Sequence, residues 1–384
     1  MREFIYLDYS ASTPVDPAVV KAMEPYWSEQ YGNASSIHEM GRTARIAVED
    51  SRKKVACILH CDPLEIVFTA GGTESVNLAI TGIVRANQRK GKHIVTTVIE
   101  HHTALHAINY LEKEGWTVTY VPVDKNGHVD PMAVVDIVRD DTVLVSVMYA
   151  NNEIGTVQPI TEISRLVKEK YPQVYFHTDA CQAPGSLPLG VNDLGVDLMS
   201  LSGSKIYGPK GSAVLYVKNG VKIDPIIHGG GQERNLRSGT ESVSLIVGFA
   251  KALELIEENR EQETKRLMAL RERLVTRVLA VVPGAVLNGQ GDVLPNKANF
   301  SIPGINGNEL VLTLDRYGIG CSTASACSSG NPQPSHVVLA LGVPYELAQG
   351  TVRFSLGKDT TDDDIAYLLE VLPKAVKEVR NKKA

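Results

Sequence analysis

The sequence predicts an α/β fold: a largely parallel sheet between helices, followed by a smaller α+β domain. The first observation is that short apolar runs rich in β-branched residues recur along the chain. These are residues 66–69, 93–97, 143–149, 174–178, 198–201 and 213–217. They lack strict alternation of apolar and polar residues, which is typical of strands buried on both faces.

The second observation is that helical patterns separate several of these runs. Apolar residues repeat at helix spacing from Val76 to Val84, before a stop at Gly91, and again over residues 163–167. Strand–helix–strand alternation favours a parallel sheet that is covered on both sides.

The third observation is a change of pattern near Glu241, where one long helical region begins and extends to Val282. Its charged stretch, residues 257–266, is interpreted as a solvated face. After Pro283 come shorter strands, a loop rich in Ser and Gly (322–330) and a last helix that begins at Thr361. This part is predicted to form the smaller domain.

Composition narrows the classes of function. The chain has 384 residues, 43% of them hydrophobic, which is enough for a large core. Its formal net charge is −5 without a long Lys/Arg run, which argues against nucleic-acid binding. No apolar run approaches a membrane span, and no apolar signal segment follows Met1. The five cysteines form no disulfide framework or metal-ligand spacing, so we expect a cytoplasmic protein without a metal site.

Three strand ends carry residues that suit a cofactor. Gly71, Gly72 and Thr73 follow a strand and open a helix, where free N–H groups can bind phosphate. The alternative is a plain turn with Thr73 as the helix N-cap. Asp179 ends another strand, where a carboxylate can pair with a protonated ring nitrogen, or simply cap the next turn.

The third strand end carries Lys205, in the sequence Ser202-Gly-Ser204-Lys205. A lysine held in a cleft can form a Schiff base with a carbonyl, and Ser202 and Ser204 can donate to a phosphate. A lone loop lysine is usually just solvated. A phosphate cradle, an acid and an amine at three strand ends together indicate pyridoxal 5'-phosphate.

Two further residues point to the substrate. Cys327 lies in the small, polar loop, where a thiol is better placed as a nucleophile or sulfur carrier than as a core residue. Cys321, after an apolar segment, is expected to pack inward. Arg353 lies on a predicted strand and can clasp a substrate carboxylate, with a structural ion pair as the alternative.

With these motifs the chain resembles the cysteine desulfurases that supply sulfur for iron–sulfur clusters and tRNA thiolation. The resemblance covers nearly the whole chain. It rests on Tyr6-Leu-Asp8-Tyr-Ser-Ala-Ser-Thr13-Pro14, Tyr31-Gly-Asn33-Ala-Ser-Ser-Ile-His38, Glu100-His101, Asn151-Asn152-Glu153-Ile-Gly155-Thr156, His228-Gly-Gly-Gly-Gln232-Glu233, Arg237-Ser-Gly239-Thr240, Ser325-Ala326-Cys327 and Arg353-Phe-Ser355.

The resemblance implies the type I fold of pyridoxal-phosphate enzymes, with a mostly parallel seven-stranded sheet. It also implies a large cofactor-binding domain of residues 15–256. The small domain would comprise residues 1–14 and 257–384 and carry the Cys327 loop. In the cofactor site, Lys205 would hold pyridoxal phosphate, His101 would stack on its ring, Asp179 would pair with the ring nitrogen and Gln182 would approach the ring hydroxyl.

For the phosphate, the resemblance implies Gly72, Thr73, Ser202 and Ser204, joined by Thr240 of the neighbouring subunit in a homodimer. One departure concerns Ser204, because the family usually has His at this position. A hydroxyl still donates to phosphate, so we expect weaker or re-formed anchoring and retained activity.

For the substrate, the resemblance implies that Asn33, Asn152 and Arg353 bind L-cysteine. Cys327 would take its sulfur as a persulfide, and L-alanine would leave. The sulfur would pass to an acceptor protein, either an iron–sulfur scaffold or a tRNA thiolase.

Two rival functions stay open at this point. The first is a selenocysteine lyase, or another pyridoxal-phosphate lyase or aminotransferase. The second is a non-catalytic sulfur-transfer or scaffold protein that keeps the fold. Cys327 in its Ser-rich loop argues against an aminotransferase, and the presence of Lys205, Asp179 and Cys327 together argues against a scaffold.

Overall fold

A computed structural model of the chain describes residues 4–323 and 333–383. The strands are β1 (Ile5–Tyr6), β2 (Ile66–Thr69), β3 (His93–Thr97), β4 (Thr117–Val121), β5 (Thr142–Ser146), β6 (Tyr175–Asp179), β7 (Leu198–Ser202), β8 (Ala213–Val217), β9 (Val286–Asn288), β10 (Lys297–Ser301), β11 (Ile319–Gly320) and β12 (Thr351–Ser355).

The helices are α1 (Pro17–Met23), α2 (Pro25–Ser28), α3 (Glu39–Leu59), α4 (Gly72–Asn87), α5 (His102–Lys113), α6 (Pro131–Ile137), α7 (Ile160–Lys170), α8 (Val191–Leu194), α9 (Val243–Glu258), α10 (Arg260–Val281), α11 (Gly307–Arg316), α12 (His336–Ala340), α13 (Tyr345–Ala348) and α14 (Asp362–Lys383). Within the two described ranges, no helix is both long and apolar enough to span a membrane.

Seven strands form the main sheet in the order β2-β8-β7-β6-β5-β3-β4, and only β8 runs antiparallel to its neighbours. Alternate residues of its strands enter two hydrophobic clusters. Val95 packs with residues of α3, α7 and α9, whereas its neighbour Ile94 packs with residues of α4 and α5. Helices therefore cover both faces, and the predicted α/β class with a mostly parallel seven-stranded sheet is confirmed.

All six predicted runs lie in this sheet, but the analysis missed β4. This strand is at the sheet edge, and its residues Thr117 to Tyr120 are exposed or half-buried. Because only its last residue is buried, β4 lacks the continuous apolar pattern that marked the other strands.

A separate hydrophobic cluster lies under a three-stranded antiparallel sheet of order β12-β10-β9. Phe300 and Phe354 from this sheet pack there with residues of α10, α11 and α14. Leu7 joins the same cluster, next to a short parallel pairing of β1 with β11. The predicted smaller α+β unit is thus present, and its division from the rest at residues 14/15 and 256/257 stays a prediction.

The predicted long helical region is two helices, α9 and α10, because the helix breaks at Asn259. The backbone of Asn259 has φ −103° and ψ 4°, and its side-chain Nδ2 donates to the carbonyl oxygen of Leu255 at 3.0 Å. An asparagine side chain that bonds its own backbone competes with helical hydrogen bonding, which explains the break.

A buried ion pair fixes the loop before α9. The Arg52 guanidinium on α3 makes two 2.8 Å hydrogen bonds to the carboxylate of Glu233, and both residues are buried. The same carboxylate accepts from the Phe68 amide at 2.9 Å. Glu233, Arg234 and Asn235 all have positive φ, a conformation that non-glycine residues adopt only when their surroundings hold them in it.

The Glu233→Gln variant is expected to lower the free energy of unfolding by about 3 kcal/mol, because Arg52 would be left as a buried charge without its bidentate partner. Urea unfolding followed by circular dichroism measures this. The control is Glu169→Gln, which breaks the exposed Arg165–Glu169 pair and should cost less than about 0.5 kcal/mol. Equal stability of the two variants would contradict the assignment of Glu233 as the anchor of this loop.

Candidate active site

A cleft of about 410 Å³ opens where several strands of the main sheet end. Ten of the residues singled out from the sequence line it: Gly72, Thr73, His101, Asn152, Asp179, Gln182, Ser202, Ser204, Lys205 and Arg353. In open α/β sheets, ligands bind at the carboxyl ends of the strands. The tertiary structure therefore brings together residues that lie up to 281 positions apart, from Gly72 to Arg353.

One end of the cleft suits a phosphate. Helix α4 begins at Gly72 with Gly71 as N-cap, and no side chain caps it, so the first-turn N–H groups face the cleft unbonded by the helix. The Ser202 and Ser204 hydroxyls lie beside it, 3.1 Å apart. A Cβ on Gly72 would stand 2.9 Å from the Cys181 sulfur, so glycine is required here. The N-cap is Gly71, so the alternative assignment of Thr73 as the N-cap is wrong.

The middle of the cleft suits an aromatic ring with a basic nitrogen. Asp179 ends β6 and is buried, and its Oδ1 accepts from the Cys181 amide at 3.0 Å. His101 caps α5, because its Nδ1 accepts from the Thr103 amide at 3.2 Å. Burial lowers the pKa of His101, and nearby Asp179 opposes that change. A neutral imidazole offers a flat face for stacking, and Asp179 offers a carboxylate.

Lys205 also lines the cleft. It ends a short 3-10 turn, Gly203–Lys205, directly after β7, and its Nζ donates to the carbonyl oxygen of Ala11 at 2.5 Å. The adjoining residues are tied to the same N-terminal segment, since the Thr13 amide donates to the Ser204 carbonyl at 3.0 Å. Lys205 is half-buried and lines the cleft, which favours a role in the cleft over a fully solvated loop lysine.

Arg353 forms the wall next to the smaller unit. It lies on β12 with 4% of its surface exposed. Its Nη2 donates to the Asp8 carboxylate at 2.6 Å, and its Nη1 donates to the backbone carbonyl of Asn152 at 3.1 Å. Both readings of the sequence therefore have support: Arg353 makes an ion pair, and it also lines the cleft.

Polar atoms in the cleft wall show that these residues fit pyridoxal phosphate. Ser12 Oγ and Arg353 Nε are buried without a hydrogen-bond partner among the described residues. Buried polar atoms usually have partners, so a polar occupant would complete them. The uncapped N-terminus of α4 can bind the phosphate of the cofactor, and Asp179 can pair with its protonated ring nitrogen. The Lys205 amine can react with its aldehyde.

Two of the site residues expected from the sequence do not line the cleft, and a third is not described. Asn33 and Thr240 are exposed, and neither lines the cleft in the part of the chain that is described. Cys327 lies outside the described residues, between Thr323 and Gln333. Cys321 packs inward as predicted, and its burial raises the pKa of the thiol.

Described residues before and after segment 324–332 make hydrogen bonds at or near Arg353. Before it, Ser322 and Arg353 exchange two backbone hydrogen bonds of 3.2 and 2.7 Å. After it, the Ser335 hydroxyl donates to the carboxyl group of Glu153, which is buried next to Asn152. The described residues on either side of the segment that contains Cys327 are therefore bonded to Arg353 and to the neighbour of Asn152.

Two residues of the site carried no role in the sequence analysis. Asp8 is part of the opening motif, but only the tertiary structure places its carboxylate against Arg353. Cys181 lines the cleft between Asp179 and Gly72, and burial raises the pKa of its thiol. In the sequence, Cys181 comes two residues after Asp179, and this spacing could have indicated a thiol near the cofactor.

Comparisons with known proteins agree with this geometry. Residues 5–368 match the family model Aminotransferase class-V. A relative in Clostridium botulinum, named cysteine desulfurase IscS, is 50% identical over 383 residues, which cover 99% of this chain and 96% of the relative.

Two solved structures are also similar. One, named NifS-like protein, has a TM-score of 0.92 and 39% identity, and the match covers 98% of this chain and all of that one. Another, SspA in complex with cysteine, has a TM-score of 0.81 and 35% identity over 92% of this chain and 98% of that one. The chain belongs to the aminotransferase class-V family of pyridoxal-phosphate enzymes, and within it to the cysteine desulfurases.

Proposed function

We propose that this enzyme converts L-cysteine to L-alanine and transfers the sulfur to Cys327 as a persulfide. The observation that carries the proposal is the single cleft that joins a phosphate end, Asp179, Lys205 and a carboxylate-binding Arg353. Such a cleft suits a small amino acid with a free carboxylate. The cysteine-bound structural neighbour, SspA, supports that substrate class.

Five residues of this chain would hold the cofactor around its ring and phosphate. Asp179 would keep the ring nitrogen protonated, and the neutral His101 would stack on the ring. Gly72, Ser202 and Ser204 would contact the phosphate at the start of α4. When bound, pyridoxal phosphate supplies an electron sink for the charge that develops at the substrate Cα.

Further contacts would complete this site. Thr73 lies in the first turn of α4 beside the phosphate end, and Gln182 would approach the ring hydroxyl. Thr240 of a second subunit would add a hydroxyl to the phosphate, because Thr240 is exposed on its own chain. The enzyme would then be a homodimer with shared active sites.

Lys205 would attach the cofactor and, once the substrate amine has replaced it, move the proton at Cα. Its Nζ is held at 2.5 Å from the Ala11 carbonyl oxygen, which orients the amine toward the cleft instead of solvent. Arg353 and Asn152 on the opposite wall would bind the carboxylate, with Asn33 as a further contact. The amine and the carboxylate would thus fix the substrate from two sides.

Cys327 would then take the sulfur. Its thiolate would attack the substrate sulfur, so that a new S–S bond forms as the Cβ–S bond breaks. The electron pair of the broken bond stays on the carbon fragment, which gains protons and leaves as L-alanine. The bonds of Ser322 to Arg353 and of Ser335 to Glu153 support this role, because they hold the described residues that flank the Cys327 segment near the cleft.

The persulfide would next transfer its sulfur to an acceptor protein for iron–sulfur cluster assembly or tRNA thiolation. The IscS name of the relatives supports the first of these. A reducing compartment such as the cytoplasm suits a reactive thiolate.

We also propose that residues 15–256 form the cofactor-binding domain, and that residues 1–14 and 257–384 form the small domain with Cys327.

Lys205→Ala should abolish the visible absorption band of the protein-bound cofactor, because no amine remains to attach it. Absorbance spectra of the purified protein measure this. Lys218→Ala, which removes an exposed lysine after β8, is the control and should keep the band. An unchanged band in Lys205→Ala would move the attachment to another lysine.

Cys327→Ser should still bind L-cysteine, seen as a change in the cofactor spectrum, but form no protein persulfide. Thiol-specific labelling followed by mass spectrometry measures the persulfide. Cys57→Ser, which removes an exposed thiol on α3, should form it normally. Undiminished persulfide in Cys327→Ser would transfer the role to another thiol, with Cys321 next in line.

Ser204→His should bind pyridoxal phosphate more tightly, roughly ten-fold, because a histidine donates a charge-assisted hydrogen bond to the phosphate. Ser204→Ala should bind it more weakly, since it removes one of the paired hydroxyls. Titration of the apoprotein with the cofactor measures both dissociation constants. Lower affinity in Ser204→His would mean that the serine is the better phosphate ligand in this chain.

A further inference from the structure

We propose that Asp8 is an internal carboxylate that positions Arg353 and lowers its affinity for the substrate carboxylate. The inference rests on the proposed role of Arg353 in substrate binding and extends it to a residue without an assigned role. Its basis is the distribution of hydrogen bonds among the three nitrogens of the Arg353 guanidinium.

The three nitrogens of this guanidinium are in different situations. Nη2 donates to Asp8 Oδ1 at 2.6 Å, and Nη1 donates to the Asn152 carbonyl at 3.1 Å. Nε is buried and has no partner among the described residues. A carboxylate that binds in a two-pronged manner would use the Nε–Nη2 edge. Because Nη2 already donates one hydrogen to Asp8, the substrate and Asp8 would share this nitrogen.

Asp8 cannot easily move away when a substrate arrives. Its neighbours on both sides are bonded to Ser355, which lies two residues after Arg353 on the same strand. The Ser355 amide donates to the Leu7 carbonyl at 2.8 Å, and the Ser10 amide donates to the Ser355 hydroxyl at 2.9 Å. The Tyr6 hydroxyl donates to the Asp8 carbonyl at 3.0 Å. The Asp8 backbone is therefore held on the strand that carries its partner.

Other charged groups near Arg353 do not replace Asp8. Glu153 is buried, and burial raises its pKa to about 7, with its carboxyl group bonded to the Ser335 hydroxyl. Lys297 is buried on the strand next to Arg353, and burial lowers its pKa well below the ordinary value. Lys205 also lines the cleft, and its Nζ donates to the Ala11 carbonyl oxygen. Asp8 is the carboxylate that directly contacts the guanidinium in the described residues.

Two opposing effects follow from this contact. The Asp8 acceptor holds the guanidinium plane in place, which favours binding of a substrate carboxylate. The Asp8 charge also offsets the charge of Arg353 and repels a second carboxylate a few ångströms away, which disfavours it. An asparagine keeps the shape and the acceptor but removes the charge, and an alanine removes both. The two substitutions therefore separate position from charge.

The experiment measures equilibrium binding of L-alanine, the product, to the holoenzyme by calorimetry. L-Alaninamide serves as the matched probe because it has the same amine and side chain but no carboxylate. Asp8→Asn should bind L-alanine roughly three- to ten-fold more tightly than the parent, with unchanged affinity for L-alaninamide. Asp8→Ala should bind L-alanine more weakly than Asp8→Asn does, because Nη2 loses its acceptor.

Two control variants distinguish a failure of the proposed carboxylate site at Arg353 from a failure of the proposed role of Asp8. Asp16→Asn, at the remote Lys358–Asp16 pair, should leave both affinities unchanged. Arg353→Gln should weaken L-alanine binding at least ten-fold without affecting L-alaninamide. If Arg353→Gln has no such effect, the proposed carboxylate site is wrong. If Arg353→Gln behaves as expected but Asp8→Asn binds L-alanine no more tightly than the parent, the role of Asp8 is wrong.

Discussion

The active site depends on the hydrogen bonds that an N-terminal segment, residues 7–13, makes in two directions. Toward the smaller unit, Leu7 and Ser10 bond to Ser355, on the strand that carries Arg353. Toward the main sheet, Ala11 accepts from the Lys205 amine and Thr13 bonds to the Ser204 carbonyl. One short stretch of chain therefore sets the separation between the amine and the guanidinium. In the proposed function, this separation would set where the substrate carboxylate lies relative to the cofactor.

Burial sets the protonation of several groups around the cofactor position. His101 is neutral because burial lowers its pKa, and His177, under the same strand end as Asp179, has a pKa lowered to about 4. Glu100, next to His101, is fully buried, and its pKa is raised to about 8. These neighbours therefore add little charge at neutral pH. In the proposed function, Asp179 and Lys205 are the two residues that would act on the cofactor directly.

Two buried arginines show how a structural pair differs from a functional one. Arg52 makes a two-pronged bond to Glu233, and its remaining capacity goes to the Ile66 carbonyl and to Glu49. Arg353 makes only a single bond to Asp8 and retains a buried Nε without a partner in the described residues. The first guanidinium is saturated and holds a strained loop, whereas the second retains hydrogen-bonding capacity that the described residues do not use.

The sequence by itself determined that the main sheet has buried, mostly parallel strands separated by helices, because such strands have a continuous apolar pattern that depends on few distant contacts. It also singled out Lys205, Asp179, Arg353 and the turn at Gly72 as candidates, because each comes at a strand end or in a motif with a direct chemical meaning. It missed the edge strand β4, whose residues are half-exposed, and the break at Asn259, where one side chain competes with the helix.

Only the tertiary structure decided how these residues meet. Asp8 and Arg353 are 345 positions apart, and nothing local in either segment predicts a 2.6 Å contact between them. The same holds for the Lys205 bond to Ala11 across 194 positions. Sequence patterns report which face of an element is buried, but pairs of polar side chains are matched by chain packing. The sequence could therefore name the chemical groups of this site, and the fold alone set which of them share a partner.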